Sequence, residues 1–165
     1  MIKIFRRHNG WQWLLLSLSV LTTGLIFYFS AQTGQQSSET SLGVMRLFQE
    51  LFPFLELTGD KAHLVIRKLA HFTIFFLDGA FLTAYIRYTY EKGLMNAAFY
   101  LLIPFVTAIA SEIEQIFIDG RGPSVMDVAI DSTGAAAGAL FASVIFYSVM
   151  RFRERKQKVG GDTHV

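Results

Sequence analysis

Six polar side chains fall at spacings that place them in pairs on single helix faces within or beside otherwise apolar stretches. Lys68 and His71 are three residues apart, as are Glu112 and Gln115, and Asp127 and Asp131 are four apart; such pairs share one face of a helix. At about 1.5 Å of rise per residue, His71, Glu112 and Asp131 lie roughly 6–9 Å inside the ends of their stretches. Lys68, Gln115 and Asp127 lie shallower, and Arg121 falls in the connection above them. Ionisable groups inside a bilayer are costly, so their gathering at one depth suggests a polar pocket. There His71 can serve as general acid or base, with Glu112 orienting it. Arg121 and Lys68 can pair with a phosphate or carboxylate, and Gln115 can fix its orientation. Glu112, Asp127 and Asp131 offer oxygen ligands to a divalent cation, although no residue pattern calls for a metal or another cofactor. Four of these residues also have a plainer role. Lys68 can snorkel to the interface, His71 can be a hydrogen-bonded packing residue, Asp127 can cap a helix N-terminus, and Arg121 can pair with Asp119, Asp127 or Glu112.

Asp78 stands apart, about 16 Å down and near the middle of its stretch. An unpaired charge there costs at least about 2.5–3.5 kcal/mol. The expectation is a protonated carboxyl or one hydrogen-bonded to Thr83, Thr107 or Ser143; a proton relay is the sharper alternative.

The elements that must position these groups are membrane spans. Apolar residues make up 52 % of the 165, and charged residues 17 %, against about 25 % in a soluble domain. Uncharged or nearly uncharged stretches run over about 11–30, 67–86, 94–118 and 125–150, each near the ~20 residues that a spanning helix needs. The expected fold is all-α: a single four-span membrane domain over residues 1–150, followed by a basic tail at 151–165. The basic start and apolar run of the first stretch resemble a signal peptide, but the run is too long and Phe29 stands where a small residue should precede cleavage. It reads as an uncleaved span. Between the first two spans, Ser41 can cap a helix over 42–52 whose Val44, Leu47, Phe48, Leu51 and Phe52 share an apolar face. That helix either lies on the outer leaflet or packs on the spans as a lid.

Orientation follows from lysine and arginine. Lys3, Arg6, Arg7, Arg87, Lys92 and five residues of the tail fall on one side; Arg46, Lys61, Arg67, Lys68 and Arg121 fall on the other. Both termini are therefore expected in the cytoplasm, and the polar tier faces outward. Trp11, Trp13, Tyr85, Tyr88, Tyr90 and Tyr147 fall near the cytoplasmic ends, as interfacial aromatics do. The basic tail reads as a lipid-headgroup anchor, with no nucleic-acid partner. The chain has no cysteine, which excludes disulfides, thiolate metal sites and thiol catalysis. Arg121, Asp127 and Asp131 reproduce the R-x5-H-x3-D spacing of phosphatidic-acid-phosphatase-type enzymes, but aspartate stands at the nucleophilic histidine, which excludes that mechanism.

The sequence resembles the VanZ-like family of bacterial membrane proteins over roughly residues 11–150. The resemblance is carried by Ser30-Ala31-Gln32 with Ser37 and Ser38, Lys68-x-x-His71, Ser111-Glu112-x-x-Gln115-x-Phe117, and Arg121-x-Pro123-Ser124-x-x-Asp127-x-x-x-Asp131-x-x-Gly134-x-x-x-Gly138. It departs from the family pattern at Phe75, where tyrosine is usual, at Asp78, where an apolar residue is usual, and at Asp131, where asparagine is usual. The resemblance implies the outer face of the bacterial plasma membrane and a link to low-level resistance to lipoglycopeptides of the teicoplanin type. Three functions compete. One is binding of an envelope lipid or lipid-linked cell-wall precursor by its headgroup, one is hydrolysis or transfer on a lipid-linked group, and one is proton-coupled transport through Asp78. Oligomeric state is not legible.

Overall fold

The computed structural model describes residues 10–54, 59–90 and 94–161. Lys3, Arg6, Arg7 and Lys92, which carry part of the orientation argument, lie outside them. The described residues form five α-helices and no strand: α1 (Gly10–Ser30), α2 (Gly34–Leu51), α3 (Gly59–Thr89), α4 (Leu94–Glu114) and α5 (Val125–Gly161), with a 3₁₀ turn, Gln115–Phe117, ending α4. Four apolar segments are long enough to cross a membrane: Gly10–Ser30, Ala62–Thr89, Ala98–Phe117 and Val125–Phe152.

The boundaries differ from expectation at three places. The second span, expected over 67–86, belongs to a helix running from 59 to 89; its 28 apolar-window residues measure about 42 Å, longer than a ~30 Å hydrocarbon core. The tail from 151 is no separate segment as far as Gly161, because α5 continues through it; its arginines, lysines and glutamate are good helix formers. The helix expected over 42–52 begins eight residues earlier. Its cap is Thr33, not Ser41. The Thr33 hydroxyl accepts from the Gln36 N–H at 3.3 Å and the Thr33 N–H donates to Gln36 Oε1 at 3.0 Å, a reciprocal capping box. Ser41 instead donates back to the Ser37 carbonyl within the helix.

α3 is the axis of the bundle and packs against all four other helices, most extensively against α5. Glycine sets that approach. A Cβ on Gly134 would lie 2.5 Å from the Phe72 carbonyl oxygen, and Cβ atoms on Gly138 and Gly79 would run into the backbone of Phe76 and Ala135. Small residues at such contacts let spanning helices approach to backbone distance. The apolar core is small: Ile26, Phe75, Ala108 and Ala135, flanked by Ile74 and Val128. Among the buried side chains are Asp78, Glu112, Gln115 and Asp131, while large apolar residues such as Leu21, Leu102, Leu140 and Val144 are exposed. That inversion is the pattern of a bundle whose solvent is lipid, where ionisable side chains face the bundle interior.

α2 is tied to the connection between α4 and α5. The Gly34 N–H donates to the Asp119 carbonyl at 3.0 Å. Gly34 and Gly120 approach so closely that a Cβ on Gly34 would collide with the Gly120 carbonyl, and Gly120 itself has φ 71°, a conformation that glycine adopts without steric cost. The end of α1, the whole of α2, the first turns of α3, the end of α4 and the start of α5 thus gather at one end of the bundle.

Candidate functional site

The polar side chains at that end form a ladder of pairs. Lys68 Nζ donates to Asp127 Oδ1 at 2.7 Å. One turn deeper, His71 Nδ1 stands 3.4 Å from Asp131 Oδ1, close enough to interact electrostatically but out of line for a hydrogen bond. Asp131 is fully buried, and neither carboxylate oxygen has a hydrogen-bond partner. Glu112 forms no ion pair with His71 within 4 Å. It accepts from the Ser124 N–H at 2.7 Å and from Gln115 Nε2 at 2.9 Å, so it fastens the end of α4 to the segment leading into α5. The residue standing beside His71 is Asp131.

Arg121 is engaged differently from either sequence reading. It forms no ion pair within 4 Å among the described residues. Its Nε donates to Gln115 Oε1 at 3.1 Å, and Nη1 donates to the carbonyls of Phe29 at 3.1 Å and Gln32 at 3.4 Å. The guanidinium therefore clamps the C-terminal end of α1 to the connection before α5. Burial, and then the neighbouring Arg67, pull its pKa below the ordinary value, while Glu112, Asp127 and Glu114 oppose that shift. The Ser30 hydroxyl donates to the Ser111 carbonyl at 2.6 Å and adds a second tie between α1 and α4.

Asp78 takes its partners from α1, not from Thr83, Thr107 or Ser143. The Thr22 and Thr23 hydroxyls donate to Asp78 Oδ1 at 3.0 and 2.8 Å. Among the described residues no three His, Asp or Glu side chains come close enough to hold a metal ion.

Beside the ladder lies a cavity of about 490 Å³ between α1, α2 and α3, within the ~300–1,000 Å³ range of small-molecule sites. Its body is apolar: Leu25, Ile26, Phe29, Leu69, Ile74 and Leu77 line it. Gln32, Ser37, Thr40, Ser41, Arg67 and His71 supply polar wall at and near α2, and Thr22, Ser30, Thr73 and Ser111 add hydroxyls elsewhere on the wall. Val44 and Phe48 of α2 form part of the same wall, so α2 acts as a cover over the spans. Of the seven residues singled out from the sequence, only His71 lines this space. Lys68, Glu112, Gln115, Arg121 and Asp127 are bonded to one another or to backbone around it, and Asp131 stands behind His71. Arg67 was missed, yet it carries the same signal: it precedes His71 by four residues and so shares its face.

The family model described as VanZ/LLP1 matches residues 14–147, a range that contains the ladder, the cavity and the glycine contacts. No curated protein and no solved structure matches the chain.

Proposed function

Because the chain belongs to the VanZ/LLP1 family, we propose that it is a multi-pass protein of the bacterial plasma membrane that holds an envelope lipid or lipid-linked cell-wall precursor. The cavity is the observation that carries this reading. A hydrocarbon chain fits against Leu25, Ile26, Leu69, Ile74 and Leu77, and a headgroup fits at the end where Gln32, Ser37, Thr40, Arg67 and His71 collect. The lysine and arginine asymmetry supports an orientation with both termini in the cytoplasm and this end outside. Holding such a lipid changes what the outer leaflet presents and so lowers the action of lipoglycopeptides of the teicoplanin type. The purified protein should retain a polyprenyl-phosphate or phospholipid species through detergent exchange, detected by native mass spectrometry. Filling the cavity by Ala70→Phe should remove it. Retention of no species above the bulk lipid composition contradicts the reading. The orientation is checked by cysteines placed at Gln35 and Tyr90: labelling of intact cells at Gln35 alone agrees with it, and labelling at Tyr90 alone reverses it.

The His71–Asp131 pair favours a second reading, hydrolysis or transfer on a lipid-linked group. His71 lines the cavity and its Nε2 has no partner among the described residues, so it is positioned to exchange a proton with a bound headgroup while Asp131 stands behind it. Release of a headgroup by purified protein, lost in His71→Gln, distinguishes this from binding alone. Proton-coupled transport gains no support from Asp78, whose partners are two hydroxyls of a neighbouring helix.

A further inference from the structure

We propose that Arg67 is the anion-recognising residue of the cavity, and that the amphiphile held there carries a phosphate-type anionic headgroup. This rests on the lipid-binding reading above and names the class of lipid. Among the described side chains, Arg67, Lys68 and Arg121 are the cations at this end of α3 and the adjoining connection, and only Arg67 lines the cavity. Lys68 is paired with Asp127, and Arg121 donates through Nε and Nη1 to Gln115 and to two backbone carbonyls, leaving only its buried Nη2 without a partner; neither residue lines the cavity. Arg67 lines the cavity and has neither an ion-pair partner nor a hydrogen bond among the described residues. Arg67 and Arg121 are close enough for each to feel the other's charge, so both oppose the placing of another cation nearby and favour an anion. Three acidic groups of this end have neighbours other than Arg67 and do not line the cavity: Asp127 is held by Lys68, Glu112 by the Ser124 N–H and Gln115, and Asp131 stands beside His71.

The chain end of the ligand is fixed by length. Arg67 lies ten residues above Leu77, the deepest α3 residue of the wall, which is about 15 Å along the helix. A headgroup at Arg67 therefore has its hydrocarbon directed toward mid-span. A guanidinium offers a planar fork of donors that matches phosphate bidentately. Ser37, whose hydroxyl forms no hydrogen bond among the described residues, stands on the same wall as a further donor.

The test uses full-length protein in phosphatidylcholine nanodiscs and a photoreactive alkyl phosphate as reporter, displaced by dodecyl phosphate, by neutral dodecyl glycerol or by inorganic phosphate. Wild-type protein should bind dodecyl phosphate roughly tenfold or more tightly than dodecyl glycerol, the scale of a charge-assisted hydrogen bond. Arg67→Gln should abolish that preference, Arg67→Lys should restore part of it, and Arg46→Gln, which removes a cation on α2 away from the cavity, should keep it. Equal displacement by the two dodecyl compounds in wild type, or a preference that survives Arg67→Gln, overturns the assignment to Arg67 while leaving lipid binding in place. Displacement by inorganic phosphate at the same concentrations overturns the lipid as the source of the anion. A reporter that labels wild type and Ala70→Phe alike overturns the cavity reading and this inference with it.

Discussion

The two faces of α3 are built to opposite specifications. Toward α5, Gly79, Gly134 and Gly138 bring the helices to backbone contact, with no room for a methyl group. Toward α1 and α2, the same helix leaves about 490 Å³ open. Without a hydrophobic driving force between helices in lipid, close packing and hydrogen bonds are what hold a bundle together. The α3–α5 contact and the polar ladder supply that hold, which frees the opposite face to be shaped for a ligand. The difference also assigns the ionisable residues. Asp127 and Glu112, on the α5 and α4 side, are hydrogen-bonded within the protein, whereas Arg67 and His71, which line the cavity, keep nitrogens without a partner among the described residues.

The contrast predicts unequal consequences of substitution. Gly138→Leu should have the largest effect, because its side chain would have to occupy the backbone of Phe76; overpacking ordinarily costs about 1–3 kcal/mol and more where backbone must move. No monodisperse protein should be recovered by size-exclusion chromatography in mild detergent. Glu112→Ala comes next. It strands the Ser124 N–H and the Gln115 amide, a loss of about 1–3 kcal/mol that should appear as a clear fall in thermal stability. Lys68→Gln removes an ion pair whose lysine side chain is 44 % exposed, worth about 0–1 kcal/mol, so the melting temperature should barely move. Ala70→Phe, on the cavity side, should leave stability unchanged while removing the retained lipid. If Ala70→Phe destabilises as much as Gly138→Leu, the two faces are not different in kind.

The spans were legible from apolar runs alone, since length and charge decide them. The pairing of Lys68 with Asp127 and the nearness of His71 to Asp131 follow from spacings that placed each residue on one face at matched depth. The close approach at Gly134 and Gly138 is written in the small-residue repeat. Other features depend on how one helix is rotated against another, which no single stretch encodes. Thr22 and Thr23 became the partners of Asp78 through the register of α1 against α3. The cavity is a gap left among three helices, and no residue announces a gap. The start of α2 was legible and was missed: Thr33 followed by Gln36 is a capping-box pattern, and Ser41 drew attention because it directly precedes the apolar residues.

The central claim is that the space between α1, α2 and α3 is filled by a lipid chain in preference to the remaining apolar surface. Photo-crosslinking with a diazirine-bearing alkyl phosphate, followed by peptide mapping, tests it most directly. Adducts should concentrate on Leu25, Val44, Leu69 and Thr73 of the cavity wall. Adducts spread evenly over these and the exposed Leu140 and Val144 of α5 would mean that the cavity holds nothing the surrounding bilayer does not, and would contradict it.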